Sequence, residues 1–192
     1  MLSFESAEHD PTIDFDQAIA ICARHGGAAE SADVDGARSG ADREWTDTFV
    51  RAPYLRDALI RLGVMVETFE TACTWSAYEH LRGAVTDAVA AAGGVVSARF
   101  THVYPDGPAP YFTVYAAAKR GGEVDQWDAM KVAVSDALSR HGGTITHHHA
   151  VGRDHVAWIE AEHGRLGIEL LLAAKERCDP TGIMNPGKLL PG

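Results

Sequence analysis

A chain of 192 residues, 46% hydrophobic and 23% charged, has the apolar content of a globular protein with one sizeable domain or two small ones. Its 27 acidic against 17 basic residues give a formal net charge of -10, which opposes nucleic acid or an anionic membrane as a partner and requires any anionic ligand to find a local cationic pocket. Cys22, Cys73 and Cys178 are far apart and in no metal-ligand spacing, so they are expected to be reduced core or half-buried thiols. No apolar run approaches a membrane span and the N-terminal residues carry acids where a signal peptide carries bases, so a cytoplasmic location is expected.

In chain order, residues 1–31 read as strand, helix and short strand, with the helix ending at Arg24-His25-Gly26-Gly27. Residues 31–43 are small, polar and glycine-containing and are expected to form a loop of low order. A helix from Glu44 to about Leu62 follows, with Pro53 expected to kink it or start a new one; residues 1–62 thus form a first segment. Residues 63–149 read as β-α-β-β-α-β. Their strands are Val64 to Phe69, Val95 to Tyr104, Tyr111 to Ala118 and the segment ending at His149. Between them lie two apolar-periodic helices that stop at Gly93-Gly94 and at Gly142-Gly143. The expected fold is α+β: a ferredoxin-like βαββαβ antiparallel sheet with helices on one face, plus a C-terminal helix and an extended tail. Residues 150–192 supply a loop to about Gly164, a helix ending near Arg177, and that tail, opened by Asp179-Pro180-Thr181-Gly182.

Chemistry concentrates at His147, His148 and His149. An imidazole titrates near neutrality and suits proton transfer, anion binding or metal ligation. On a strand, Ile145, His147 and His149 would share one face and Thr146 and His148 the other; ligands on opposite faces do not converge, so no metal centre is expected. Tyr111, at the start of its strand beside the loop 105–110, is placed to present its phenol as an acid or base. Arg56 is a candidate anion anchor, with an intrahelical pair to nearby Asp57 or a solvated helix face as the plainer alternative. Gly152-Arg153-Asp154-His155 has the make-up of a glycine-hinged loop. No glycine-rich nucleotide cradle and no Gly-x-Ser-x-Gly nucleophile turn occurs.

Four runs, in order, carry a resemblance. They are Pro53-Tyr54-Leu55-Arg56-Asp57; Glu67-Thr68-Phe69-Glu70-Thr71 followed by Trp75; His147-His148-His149-Ala150-Val151-Gly152-Arg153; and Asp179-Pro180-Thr181-Gly182-Ile183-Met184-Asn185-Pro186-Gly187-Lys188. Together they resemble the C-terminal half of the alkyldihydroxyacetonephosphate synthase branch of the FAD-linked oxidases, with the vanillyl-alcohol oxidase fold. The resemblance implies that residues 1–62 and 63–149 belong to a cap over the flavin, and that FAD is bound mainly by a domain or subunit outside this chain. It also implies a small anionic or lipid-like substrate, and acyl-for-alkyl exchange on dihydroxyacetone phosphate through a flavin adduct. A homo-oligomer is compatible with it. Carried over by position, Tyr111 becomes the proton donor and acceptor, assisted by His148 and His149 with His147 in support. Arg56 and Arg153 would touch the substrate, and Asn185, Gly187 and Lys188 the flavin. A cap of an FAD-dependent hydroxy-acid or alcohol dehydrogenase, or a flavin-free binding or assembly domain, are the competing expectations; the isolated chain is expected to be inactive without its flavin domain.

Overall fold

The computed structural model describes residue 4, residues 6–28 and residues 40–190, with the backbone alone at 40–46 and 49. The chain divides into two compact units, Met1–Tyr54 and Leu55–Gly192. In the first, helix α1 (Thr12–Arg24) starts after Pro11 and is opened by Asp10, whose carboxylate accepts the Thr12 amide at 3.0 Å and its hydroxyl at 2.6 Å. Those two bonds, the hydroxyl first, hold the Asp10 carboxyl below its ordinary range against a weaker effect of burial. Helix α1 buries none of its residues. Residues 7–9 form bends where a strand was expected, and Gly27 and Ala28 carry no strand; residues 1–3, 5 and 29–31 of those expected strands lie outside the described residues. So do residues 31–39 of the expected loop. Helix α2 (Gly40–Arg61) begins before Glu44, runs on through Pro53 and crosses the division between the units.

The second unit holds the sheet. Strands β1 (Val64–Glu70), β2 (Gly94–Val103) and β3 (Pro108–Ala117) are antiparallel in the order β1-β3-β2. Alternation puts Met65 and Phe69 of β1 and Phe112, Val114 and Ala116 of β3 on one face, all buried. Helices α3 (Trp75–Ala91) and α4 (Glu123–Arg140) cover that face. Leu81, Val85 and Val89 recur at four-residue spacing on α3, and Met130, Val134, Ala137 and Leu138 form the matching stripe of α4. The expected α+β order with helices on one face is observed.

Strand β3 starts earlier than expected, at Pro108, so Tyr111 lies inside the strand rather than at its start. Prolines ordinarily end a central strand because they lack a donor. Here the Pro108 and Pro110 carbonyls accept the Cys73 and Thr71 amides, so both prolines stay paired through their oxygens on the side that continues β1. The turn before β3 closes tightly: a Cβ on Gly107 would stand 1.8 Å from the Cys73 carbonyl oxygen.

The fourth strand does not form. Thr144 still donates its amide to Ala72 at 3.0 Å, alongside the end of β1, but residue 145 and residues 147–149 form bends. Helix α5 (Val156–Cys178) begins well before the expected point, because Gly164 interrupts it with φ 71 and ψ 160 rather than preceding it. The tail turns instead of extending, with positive φ at Asn185 and Leu189, and Leu190 packs into a second cluster with Ile145, Ile159 and Ile168. Cys22 and Cys178 are exposed and only Cys73 is half-buried, so the expectation of buried or half-buried thiols holds for that one residue; burial raises its pKa. No helix among the described residues is long and apolar enough to cross a membrane.

Candidate active site

The uncovered face of the sheet ends at a cross-strand row. Tyr111 in the central strand stands opposite Glu70 of β1 on one side and Arg99 of β2 on the other. Arg99 lies over the Tyr111 ring, its Cζ 5.0 Å from the centroid. Glu70 would point to the open side of the sheet, yet the residue is 3% exposed, because the histidine segment folds over it.

Glu70 explains why that segment is a turn. Its Oε1 accepts three successive backbone amides, from His147 at 2.9 Å, His148 at 2.5 Å and His149 in a shorter contact, and the Thr146 hydroxyl at 3.1 Å. Amides gathered on one oxygen cannot also serve a strand ladder. The Thr146 hydroxyl also lies 2.7 Å from the His149 carbonyl and closes the turn. Burial pushes the Glu70 pKa up, but the amides of His149, His147 and His148 and the charge of His149 outweigh it, so the carboxyl sits below its ordinary range.

The turn brings together side chains that a strand would have separated. Tyr111 and His149 meet edge to face at 5.6 Å between ring centroids. The Tyr104 hydroxyl is hydrogen-bonded to His147 Nε2 at 3.2 Å, and the His102 ring lies 5.3 Å from that of His147 and 5.4 Å from that of His148. Donor atoms of His102, His147 and His148 lie within 4.8 Å of one another, as do those of Glu70, His148 and His149. The expectation that these histidines cannot converge is therefore corrected: a turn, not a strand, carries them.

The upstream end of the segment is held from another direction. Glu162 of α5 accepts the Ile145 amide at 2.8 Å and, in a short contact, the Thr144 hydroxyl. The Thr71 hydroxyl donates to the Thr144 carbonyl at 2.6 Å.

The other expected residues are not drawn in. Arg56 is exposed on α2 and makes no hydrogen bond or ion pair with the histidines. Arg153 is exposed in the turn before α5. Asn185, Gly187 and Lys188 are exposed in the tail, which the Leu189 amide ties to the Gly152 carbonyl at 3.3 Å, just beyond the histidines. Asp179 shapes the start of that tail by accepting Lys175 Nζ at 2.7 Å and the Ile183 and Met184 amides; the Lys175 bond is the main reason its pKa is lowered. Glu70, His102 and Tyr104 were not expected as site residues. For Glu70 a signal existed: its place on the strand gives it the face opposite to Phe69.

Imidazoles, phenols and the Arg99 guanidinium form a donor-rich, aromatic wall suited to the polar edge of a flavin ring or to a substrate oxygen, while no glycine-rich pyrophosphate cradle occurs in the sequence. The residues present therefore fit one side of an FAD site.

Residues 1–189 match the family model described as FAD linked oxidases, C-terminal domain. The chain is 31% identical over 158 residues to an alkyldihydroxyacetonephosphate synthase of Trypanosoma brucei brucei, covering 77% of this chain and 25% of that protein. It is 35% identical over 148 residues to the Caenorhabditis elegans protein of the same name, covering 71% and 24%. A solved structure of alkyldihydroxyacetonephosphate synthase superposes with a TM-score of 0.57 at 18% identity, over 92% of this chain and 28% of the other. The chain thus spans about a quarter of the length of these curated relatives. With the four sequence runs and the sheet-and-turn geometry on one side and a match over nearly every residue on the other, the chain belongs to the family of FAD-linked oxidase C-terminal domains.

Proposed function

We propose that this chain forms the substrate-facing cap of an alkyldihydroxyacetonephosphate synthase-like flavoenzyme, exchanging the acyl group of an acylated dihydroxyacetone phosphate for a fatty alcohol. The observation that carries the reading is the meeting of Tyr111 with the histidine turn at the end of the uncovered sheet face. The similarity to synthases, though it spans a quarter of their length, supports it.

FAD, when bound by a partner domain or subunit, supplies the reactive isoalloxazine ring. This chain's residues handle protons and substrate. The Tyr111 phenol gives a proton to, or takes one from, the reacting substrate oxygen or carbon, with His149 packed against its ring to fix its position. His147 and His148 offer imidazole nitrogens beside it, and Tyr104 holds His147 by its Nε2. Arg99 and Arg153 are the cations beside the wall and its following loop that suit a phosphate. Asn185, Gly187 and Lys188 would line the flavin side through the tail's link to Gly152. A role in ether-lipid synthesis follows from this reading.

The test is reconstitution with an FAD-binding partner and assay with acyl-dihydroxyacetone phosphate and a fatty alcohol. Tyr111→Phe is expected to lower turnover by about 100-fold or more with FAD still bound. Turnover at the wild-type level removes Tyr111 from the mechanism. Flavin reduction by a hydroxy acid, without exchange, would replace the synthase reading by a dehydrogenase.

A further inference from the structure

A carboxylate as buried as Glu70, with its side chain 1% exposed, is costly to desolvate unless both oxygens are matched. Oε1 is saturated by three amides and a hydroxyl. Oε2 is different. It is buried without a hydrogen bond of ordinary angle, and the groups that approach it are His148 Nδ1 at 2.5 Å and His147 Nδ1 at 3.8 Å. At 2.5 Å from an ionised oxygen only a nitrogen carrying a proton is tolerated, so the His148 Nδ1 proton is the match for Oε2. A carboxylate that merely organised the turn would need Oε1 alone.

We propose that Glu70 is the positioning residue of the histidine site, holding His148 through Nδ1–H so that its Nε2 is the free, basic nitrogen turned to the substrate. The inference rests on the reading above, in which the histidines handle protons. The balance of the step is simple: a substrate O–H bond breaks, an Nε2–H bond forms, and Glu70 stays ionised throughout. The ring that takes the proton has the Glu70 carboxylate against its other nitrogen, which fixes its orientation. Glu70, His102, His147 and His149 are the titratable groups that face His148. Of these only Glu70 carries a full negative charge at neutral pH.

The full chain, labelled with nitrogen-15 at its histidine rings, tests this without flavin. At about pH 9, well above the ordinary histidine range, long-range proton-nitrogen spectra report which ring nitrogen of His148 carries the proton. The expected result is an Nδ1–H tautomer in the wild type and its loss as the major form in Glu70→Gln, whose side chain keeps an acceptor for the three amides but no anionic oxygen. An Nε2–H tautomer in the wild type overturns the proposal, and so does a Glu70→Gln spectrum unchanged at His148. Should Glu70→Gln fail to fold, the wild-type tautomer alone decides. A wild-type Nδ1–H tautomer beside a reconstituted enzyme indifferent to Tyr111→Phe would leave this assignment standing and overturn the functional reading instead.

Discussion

Strand β1 carries two carboxylates three residues apart, Glu67 half-buried and Glu70 buried, and their surroundings differ in kind. Glu67 faces the helices, where Lys131 Nζ sits 3.2 Å from Oε1 and the Trp127 indole donates to Oε2 in a short contact. Lys131 in turn lies 4.6 Å from the centroid of the Phe69 ring. Glu70 faces the other way and is matched by amides, a hydroxyl and imidazoles. The first site has partners of fixed charge and belongs to the core. In the second, the partners' charge can change with a proton, which is what a site handling protons requires.

The largest effect that would break the contrast is expected from Glu67→Ala. Removing it leaves Lys131, 8% exposed, without its counter-ion, and a loss of about 3–5 kcal/mol in urea-unfolding free energy follows. A loss below 1 kcal/mol would mean that the pair is not the fixed structural element described.

A smaller effect is expected in acid, and it belongs to Glu70. Because its folded pKa lies below the unfolded value of 4.5, the unfolded chain takes up this proton first as pH falls. The stabilisation is complete above that unfolded value and is lost as pH falls through the folded one. Urea midpoints between about pH 6 and 3 should therefore drop less steeply in Glu70→Gln than in the wild type. Equal slopes would assign the acid loss to other carboxylates. The smallest change is expected when the fixed pair is replaced whole: Glu67→Leu with Lys131→Met should lie within about 1 kcal/mol of the wild type, since a buried ion pair can be exchanged for apolar packing at little cost.

Much of this was legible in the sequence, and the exceptions share a cause. Helices α3 and α4 are visible because Leu81, Val85 and Val89, and Met130, Val134 and Leu138, recur at helical spacing. Their ends are visible because glycine takes the positive φ at 93 and 142. Tyr111 and the histidines could be singled out as neighbours by strand order. Their geometry could not, because the residue that turns the histidine segment away from a strand is Glu70, 77 to 79 positions earlier. The start of β3 was hidden by Pro108 and Pro110, whose carbonyls do the pairing that local rules assign to donors. Nothing local marked His102 and Tyr104. They join the site because a bulge between Phe100 and His102 re-aims the end of β2.

Gly143 shows how such a site depends on a residue with no chemistry. A Cβ there would come within 2.6 Å of Leu81 Cδ1 and 2.7 Å of Thr71 Oγ1, the hydroxyl that holds the Thr144 carbonyl. The absent methyl works as a depth stop: it sets how far the chain leaving α4 sinks toward the sheet before the histidines begin. A larger residue at 143 would press on Leu81 and on the Thr71 hydroxyl that holds Thr144, so that a fault of clearance in the core would be read at the surface as a fault of aim.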